Sequence, residues 1–418
     1  MKQSWLIISY FANIDAMAPS HHIDDRLPYF QKKGIDIHLL TSPCGASYTN
    51  CSHMRIPSPA PSGIRYEVRH LLRRKTRTRF WFKFWETLVL LPVFPFYFLE
   101  KTFLRLDTTW SWFITASIAA TSSALRYRPA VLYSTGGPVS AHLAALIASS
   151  ITNIPYIAEF QDPLVHQYAA PGKLERHFIK RVEQLIFKTA ETIVFLTEKA
   201  AENASRRNND NRKGIAIYAG AIPYENRAVY KKRETFSIAH FGSLGGSRNI
   251  DNFLKAWEAL LDNSTDRMSS ARLDLYGSNK KNLNRQRERF RYKKTIRIHG
   301  KLRRKDVVDL MQTADVLLLI QNTDDVSFET IPSKVYEYLH TGRPILALLY
   351  RNPELQGILE EMGHIVVQAD DIDGIIKGLE TYRGGWEKDQ LHGSAQESPF
   401  TVERAVDRLI SLVRGSIQ

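Results

Sequence analysis

The chain has 418 residues, of which 44% are hydrophobic and 24% are charged. This length exceeds what one ordinary core holds, so we expect two domains, and the hydrophobic content excludes a disordered protein. The formal net charge of +14 predicts an anionic partner, and membrane lipid, nucleic acid and phosphorylated substrates all qualify.

Short apolar runs alternate with helical stretches in the first half, a pattern typical of parallel α/β domains. Strands are predicted over residues 5–10, 35–40, 130–133, 156–159 and 192–196. Helices are predicted over residues 23–33, 138–149 and 173–189, and Thr197 is suited to cap a further helix. The apolar run 5–10 is too short for a cleavable signal, so we expect a cytoplasmic protein. Cys44 and Cys51 match no disulfide framework or zinc pattern and are expected to be free thiols.

A segment over residues 65–104 departs from this alternation. It opens with a basic cluster: Arg65, Arg69, Arg73, Arg74, Lys75, Arg77, Arg79 and Lys83. An aromatic stretch follows, and its uncharged run, residues 88–99, is shorter than the roughly 20 residues that cross a bilayer. We interpret the segment as lying in an anionic membrane interface, and the alternative is a hydrophobic helical hairpin packed inside the domain. Nucleic acid is disfavoured, because the aromatic residues form a block instead of alternating with basic ones.

A linker is predicted over residues 219–234, and a second alternation follows it. Strands are predicted over residues 236–240, 273–276, 296–299, 316–320, 344–348 and 364–367. Helices are predicted over residues 251–261, 304–313, 354–362, 371–382 and 402–413, with a polar stretch over 383–398. Gly242, Gly277 and Gly300 follow strands, so we expect them on the ligand-binding edge of one sheet. The resulting domains are 1–225 and 235–390, and a functional site is expected in the cleft between them.

The most informative stretch is SFETIPSKVYEYLHTGRPILAL, residues 327–348. It carries Glu329 and Glu337 across a predicted helix start, with Pro332 suited to the first helical position and Gly342 to the helix end. Carboxylates near a helix start often serve only as partners of the helix dipole. The alternative is that they bind the hydroxyl groups of a ligand.

The amides of Ser333, Lys334 and Val335 are expected to be free at the N-terminus of this helix. Such amides, together with the helix dipole, bind anionic phosphate. A phosphate site between two acidic hydrogen-bond acceptors suits a ligand with both phosphate and hydroxyl groups. A nucleotide sugar is such a ligand.

The same stretch resembles the E-x7-E region of retaining glycosyltransferases of the GT-B fold, family four, in the form found in bacterial polysaccharide and lipopolysaccharide enzymes. Three further segments are similar to that family: IAEFQDPL (157–164), IAHFGSLGGSRNIDNFLKAW (238–257) and IRIHGKLRRKDVVDLMQTADVLLLI (296–320). The resemblance implies two Rossmann-like domains with parallel sheets facing across a cleft. Residues 1–225 would bind the acceptor and 235–390 the nucleotide sugar. One expectation is that the C-terminal helix, within residues 399–418, packs back on the N-terminal domain.

The resemblance also implies roles for single residues. Those assigned to catalysis are Glu329, Asp162 and Arg248, and those assigned to donor binding are Glu337, Gly242, Ser333, Lys334 and Val335. Glu337 would bind the ribose, Glu329 the sugar, and Arg248 the diphosphate. The family's second phosphate-binding cation is replaced by Phe253, and Lys334 is a candidate substitute. Asp162 and the turn at Gly136–Gly137 would lie on the acceptor side, where capping of the next segment is the alternative role for Asp162.

Three histidines each have two alternative roles in this interpretation. His21 and His22 are either acceptor ligands or part of a solvated helix start, and His142 faces either the core or the site. Asp371 and Asp373 have the spacing of a metal-binding Asp-x-Asp motif, but they open a helix, and we interpret them as a cap.

The resemblance implies a metal-independent hexosyltransferase without a cofactor, which uses a UDP- or GDP-sugar and a lipid-linked or oligosaccharide acceptor. We expect it to lie peripherally on the inner face of the cell membrane and to act in surface polysaccharide synthesis. The alternatives are a nucleotide-sugar epimerase or phosphorylase on the same fold, or a non-catalytic binder of anionic lipid or nucleic acid.

Overall fold

The computed structural model describes residues 3–14, 17–76, 78–104, 106–165, 173–210, 214–225, 230–263, 271–277, 280–391 and 396–417. The chain divides into two compact units. Unit 1 comprises Met1–Tyr218 and Val402–Gln418, and unit 2 comprises Ala219–Thr401. Each unit is an α/β domain built on a parallel sheet, as the alternation predicted.

The sheet of unit 1 has seven strands among the described residues, in the order β3-β2-β1-β4-β5-β6-β7. Its strands are β1 (Ser4–Ile8), β2 (Asp36–Thr41), β3 (Ser52–Arg55), β4 (Val131–Gly136), β5 (Tyr156–Phe160), β6 (Thr192–Phe195) and β7 (Gly214–Ala216). The short edge strands β3 and β7 were not predicted, because neither contains the continuous apolar run that marks a strand covered on both faces.

Eight helices accompany these strands among the described residues of Met1–Tyr218. They are α1 (Ala18–Lys32), α2 (Pro61–Lys75), α3 (Arg79–Leu90), α4 (Phe94–Phe103), α5 (Trp112–Tyr127), α6 (Val139–Thr152), α7 (Lys173–Thr189) and α8 (Glu198–Asn208). Helix α1 begins five residues before the predicted start, because Pro19 suits the first turn of a helix, where no amide donor is needed. Thr197 caps α8 as predicted, since its side chain accepts a hydrogen bond from the Ala200 amide at 3.2 Å.

The described strands of unit 2 form a six-stranded sheet in the order β10-β9-β8-β11-β12-β13. They are β8 (Phe236–Phe241), β9 (Ala271–Tyr276), β10 (Ile296–Ile298), β11 (Val316–Ile320), β12 (Ile345–Leu349) and β13 (Ile365–Gln368). The helices are α9 (Asp251–Asp262), α10 (Lys280–Glu288), α11 (Arg304–Thr313), α12 (Lys334–Thr341), α13 (Pro353–Glu361) and α14 (Ile372–Glu387).

Helix α14 continues to Glu387, into the stretch 383–398 that was predicted to be polar. The predicted helix end at residue 382 was wrong because Trp386 packs on the core, with its ring 5.7 Å from that of Phe236. At the other end, the Asp371 side chain accepts a hydrogen bond from the Gly374 amide at 2.9 Å. Asp371 is therefore a helix cap, as interpreted from the sequence.

The last helix, α15 (Val402–Ile417), belongs to unit 1. Its apolar stripe, which includes Val406 and Leu409, is buried in the same cluster as Trp5 and Phe30. The chain thus leaves unit 1 after β7, builds unit 2 and returns. The thiols of Cys44 and Cys51 are free, as expected.

Candidate functional site

Three glycine turns meet at the carboxyl ends of β8, β9 and β10. The Gly242 amide donates to the Tyr276 carbonyl at 3.0 Å, and the Gly277 amide donates to the Gly300 carbonyl at 3.1 Å. A Cβ on Gly277 would lie 3.2 Å from the Gly242 backbone, and the positive φ of +87° at Gly277 also favours glycine. The expectation that these turns share one edge of the sheet is confirmed.

The loop after β8 is a closed turn that presents Arg248. Gly245 and Arg248 exchange backbone hydrogen bonds of 2.8 and 3.2 Å, and Gly246 has a φ of +62°. The Ser247 hydroxyl donates to Asp324 Oδ2 at 2.5 Å, and this bond joins the turn to the loop after β11. Arg248 is therefore held beside the ends of β8 and β11.

The start of α12 differs in detail from the sequence prediction. The helix begins at Lys334, so Pro332 lies two residues before it, while Gly342 ends it with a φ of +67° as predicted. The Val335 amide donates to the Pro332 carbonyl at 2.9 Å. It is therefore not free for phosphate, because the chain enters the helix through a tight i to i+3 turn. Within the described chain, no hydrogen bond is formed by the amides of Ser333 and Lys334.

The Lys334 side chain reaches the end of β8. Its Nζ donates to the Phe241 carbonyl at 3.0 Å and lies 3.5 Å from His240 Nε2. Tyr338, one turn later on the same helix face, accepts a hydrogen bond from the Phe241 amide at 2.9 Å. A Cβ on Gly242 would lie 3.0 Å from Lys334 Nζ. Helix α12 thus places a cation directly beside the Gly242 turn.

His240 contributes a contact that the sequence analysis did not predict. It is fully buried, and its Nδ1 lies 2.9 Å from the Leu318 carbonyl. Because a carbonyl can only accept, Nδ1 carries the proton and Nε2 is an acceptor for Lys334. Burial, followed by the charge of Lys334, lowers the pKa of His240 well below its ordinary value. A neutral histidine therefore supports the lysine without adding charge.

Lys334 and Arg248 are two basic side chains at this edge, and they form a cationic pair when Lys334 is protonated. Burial, followed by the charge of Arg248, lowers the pKa of Lys334 well below its ordinary value. Burial also lowers the pKa of Arg248, against the opposing influence of Asp324. In the part of the chain that the structure describes, neither side chain forms an ion pair with a carboxylate. The arrangement can bind an anion, which would relieve the mutual repulsion of the two cations.

The two carboxylates of the motif lie in different surroundings. Glu337 Oε1 accepts from Arg304 Nε at 3.2 Å and Nη2 at 3.0 Å, and the Glu337 side chain is 22% exposed. Glu329 ends a short 3-10 turn, Asp325–Glu329, and is buried. Arg304 had no signal in the sequence, because its position beside Glu337 depends on the packing of α11 against α12.

Asp162 and the Gly136–Gly137 turn are neighbours in unit 1, at the carboxyl ends of β4 and β5. A Cβ on Gly137 would lie 3.9 Å from Asp162 Oδ2, and Asp162 is exposed. His142 instead faces the core, where it lies 2.9 Å from the Ser134 hydroxyl and 3.2 Å from the Gly136 carbonyl. Burial lowers the pKa of His142 to about 4, so it is neutral and structural.

The adjacent histidines His21 and His22 differ from each other. His22 contacts the buried carboxylate of Glu159, which also pairs with Arg26 and accepts from Thr135 at 3.0 Å. Burial raises the pKa of Glu159, but the charges of Arg26 and His22 outweigh it and hold the pKa below its ordinary value. His21 is 25% exposed and lies on the same helix. Of the two, only His22 belongs to this polar cluster of unit 1.

Models of known protein families match both units of the chain. The family model of the glycosyl transferase 4-like domain matches residues 30–220, and that of the glycosyl transferases group 1 matches residues 235–382. No curated protein sequence matches the chain at a significant level.

Several solved structures share the fold across nearly the whole chain. HepE of Anabaena in complex with UDP is 12% identical, with a TM-score of 0.64, over 99% of this chain and 100% of that chain. A trehalose-phosphate synthase of Burkholderia xenovorans in complex with glucose-6-phosphate is 13% identical, with a TM-score of 0.63, over 99% of this chain and 100% of that one. The lipopolysaccharide outer core galactosyltransferase WaaB is 10% identical, with a TM-score of 0.60, over 99% of both chains. With family models matching both units, the chain belongs to the glycosyltransferases of the GT-B fold, family four.

Proposed function

We propose that this glycosyltransferase takes its sugar from a nucleoside diphosphate donor that binds at the carboxyl edge of β8 in unit 2. The observation that carries this proposal is the cationic pair of Arg248 and Lys334 beside the Gly242 turn. Two cations held together at a glycine-lined edge suit the two negative charges of a diphosphate. The similar structures of HepE with UDP and with UDP-glucose support a uridine nucleotide, and a GDP-sugar is the other candidate.

The surrounding residues would hold the rest of the donor. Glu337, oriented by Arg304, accepts hydrogen bonds from the ribose hydroxyls, and Glu329 accepts them from the sugar. The free amides of Ser333 and Lys334 add donors for the diphosphate. Gly242 leaves space for both the Lys334 ammonium and the donor, which a side chain at this position would not.

The reaction that we propose retains the anomeric configuration. The bond between the anomeric carbon and the diphosphate oxygen breaks, and the acceptor oxygen forms its bond to that carbon on the same face. The acceptor proton passes to an oxygen of the leaving diphosphate. Arg248 and Lys334 stabilise the charge that develops on the leaving group, which is the role a metal ion plays in other transferases. The proposed transfer of a hexose is therefore metal-independent.

Substitution of the two cations tests the donor site. We expect Arg248→Ala and Lys334→Met each to weaken UDP-sugar binding about 10- to 100-fold, since a hydrogen bond to a charged group contributes about 1.5–3 kcal/mol. Isothermal titration calorimetry with UDP-, GDP- and ADP-sugars measures this. Lys255→Ala is the matched control, because Lys255 is an exposed cation on α9 of the same unit.

Two outcomes would contradict the donor site. Wild-type affinity in both variants would place the diphosphate elsewhere. A large fall in the melting temperature of Lys334→Met would mean that the lysine is structural, because removal of an uncompensated buried cation should not destabilise the unit.

We further propose that the acceptor is a lipid-linked glycan or oligosaccharide, reached at the inner face of the cell membrane during surface polysaccharide synthesis. Asp162, beside Gly137 on the exposed edge of unit 1, is the residue that we assign to acceptor hydroxyls. The fold shared with the lipopolysaccharide galactosyltransferase WaaB supports this acceptor class. Transfer of radiolabelled sugar to extracted lipid-linked glycans, with Asp162→Asn as the variant, tests it. Equal transfer by Asp162→Asn would remove this residue from the acceptor site.

A further inference from the structure

Helices α3 and α4, with the 3-10 turn Leu91–Val93 between them, form one helical stretch with an exposed apolar outer face. The stretch Arg79–Phe103 has 25 residues and is apolar enough to cross a membrane by length and composition. Twelve of its large apolar side chains, among them Trp81, Trp85 and Phe98, are 42% to 74% exposed over residues 80–103. An exposed apolar surface of this extent is typical of an interaction site. The alternative of a hairpin packed inside the domain is wrong, because only 6% of the most apolar part of the stretch is buried.

The inner face of the same stretch is polar and aromatic, and it packs on the arginines of α2. Arg69 Nε forms an ion pair with Glu86 at 2.8 Å, the Arg65 guanidinium lies 4.7 Å from the centre of the Tyr97 ring, and that of Arg73 lies 5.5 Å from the Phe82 ring. These arginines are four residues apart and therefore share one face of α2. The helix pair is amphipathic, but its polar side faces the protein and its apolar side faces outward.

Glu100 anchors the end of the stretch to the start of α2. It is buried and accepts from the Ser62 amide at 2.7 Å, from the Ser62 hydroxyl at 2.5 Å and from Trp110 Nε1 at 2.7 Å. Three donors on one carboxylate fix the orientation of α4. The outer face is therefore held in place by specific polar contacts and is not exposed by chance.

This geometry corrects the role expected for the basic cluster. Arg65, Arg69 and Arg73 were expected to meet anionic lipid, but they hold the helix pair on unit 1. Arg74 also donates to the protein, to the Gly45 carbonyl at 2.7 Å. The sequence could not show this, because the partners of these arginines lie 9 to 32 residues further along the chain or 29 residues before them.

We propose that α3 and α4 insert their outer face into one leaflet of a lipid bilayer and lie parallel to its surface. Insertion of exposed Trp, Phe and Leu side chains supplies the driving force. The exposed Lys75 at the end of α2 and the exposed Arg79 and Lys83 near the start of α3 meet the headgroups. This inference rests on the proposed function only in that the bilayer carries the acceptor.

A spanning orientation is disfavoured by the inner face. Pro92 and Pro95 interrupt the helix near its middle. A spanning helix would also carry Glu86 and Glu100 into the hydrocarbon and separate them from their partners on α2. Insertion into a single leaflet keeps these contacts intact.

Vesicle flotation of the full-length protein tests the inference. We expect binding to neutral phosphatidylcholine vesicles that persists at 0.5 M salt, since the driving force is apolar and salt screens only charge. The double variant Trp81→Glu/Phe98→Glu should lose at least tenfold in binding to neutral and anionic vesicles alike. Ile151→Glu is the matched control, because Ile151 is 60% exposed but lies on α6.

Several results would overturn the inference. These are unchanged binding by the double variant, binding restricted to anionic vesicles and abolished by salt, and a dimer in solution that the double variant dissociates. Binding of the donor is measured separately by calorimetry with the soluble nucleotide sugar. Loss of membrane binding with intact donor binding therefore separates this inference from the proposed function.

Discussion

The carboxyl edges of the two sheets differ in how their charges are balanced. In unit 1, the buried Glu159 is compensated by Arg26 and by His22. In unit 2, the charge of Arg248 adds to burial in lowering the pKa of Lys334, and burial lowers the pKa of Arg248. Asp324 and Glu337 offset these effects only in part, and within the described residues neither cation forms an ion pair with a carboxylate. A compensated cluster is complete without a ligand, whereas two cations that are only partly compensated attract an anion. This difference in charge balance supports our proposal that the donor diphosphate binds in unit 2.

The largest effect is expected when the negative charge is removed from the buried cluster of unit 1. Glu159→Gln leaves Arg26 as a buried cation without its carboxylate, and we expect the free energy of unfolding to fall by about 3–5 kcal/mol. Because the folded-state pKa of Glu159 lies below its ordinary value, the wild-type stabilisation is present at neutral pH and is lost on acidification below 4.5. Urea denaturation at pH 7 and pH 4 measures both effects.

The double variant Glu159→Gln/Arg26→Met is the control for that prediction. Removal of both charges should restore part of the stability lost in the single variant, since no buried ion then remains unpaired. A single variant as stable as the wild type would show that the cluster in unit 1 does not depend on charge balance.

A second test follows the protonation of Lys334. Its pKa is depressed in the free protein, and a bound diphosphate should raise it, so donor binding should be accompanied by proton uptake. Affinity should then fall by at most about tenfold per pH unit as the pH rises from the free to the bound pKa of this lysine. Calorimetry of a UDP-sugar in buffers of different ionisation enthalpy measures the proton uptake.

Lys334→Met is the control in this experiment, and it should abolish the proton uptake. Uptake that is unchanged in this variant would assign the titration to another group. Binding without any proton exchange in the wild type would indicate that Lys334 is already charged in the free protein, so that burial alone does not set its state.

The smallest expected effect concerns the ion pair of Arg304 and Glu337. The two side chains are 33% and 22% exposed, so Arg304→Ala should cost only about 0–1 kcal/mol of stability. We expect a severalfold higher KM for the donor with little change in kcat, because Arg304 orients Glu337 and does not contact the reacting atoms. Steady-state kinetics with Arg303→Ala as the neighbouring control measures this, and a fall in kcat alone would contradict the positioning role.

The buried strands were predicted well because a parallel sheet covered on both faces produces continuous apolar runs. The strand over residues 316–320 is an example with unchanged bounds. Helix α5 was missed because its buried side consists largely of small residues such as Ala116, Ala120 and Ala124, which give little hydrophobic contrast. Helix α14 runs past its predicted end at residue 382 to Glu387, because Trp386, which has no apolar neighbours in sequence, packs on Phe236.

The sequence by itself determined the features that depend on a few neighbouring residues. The helix end at Gly342, the cap at Asp371 and the glycine turns all follow from local backbone geometry. Only the tertiary structure decided where the long charged side chains go. Lys334 reaches β8 across 93 residues, and the arginines of α2 turn inward to hold an apolar helix pair. Partner choice and burial, which set the charge of these groups, are properties of the packed chain and leave no local pattern.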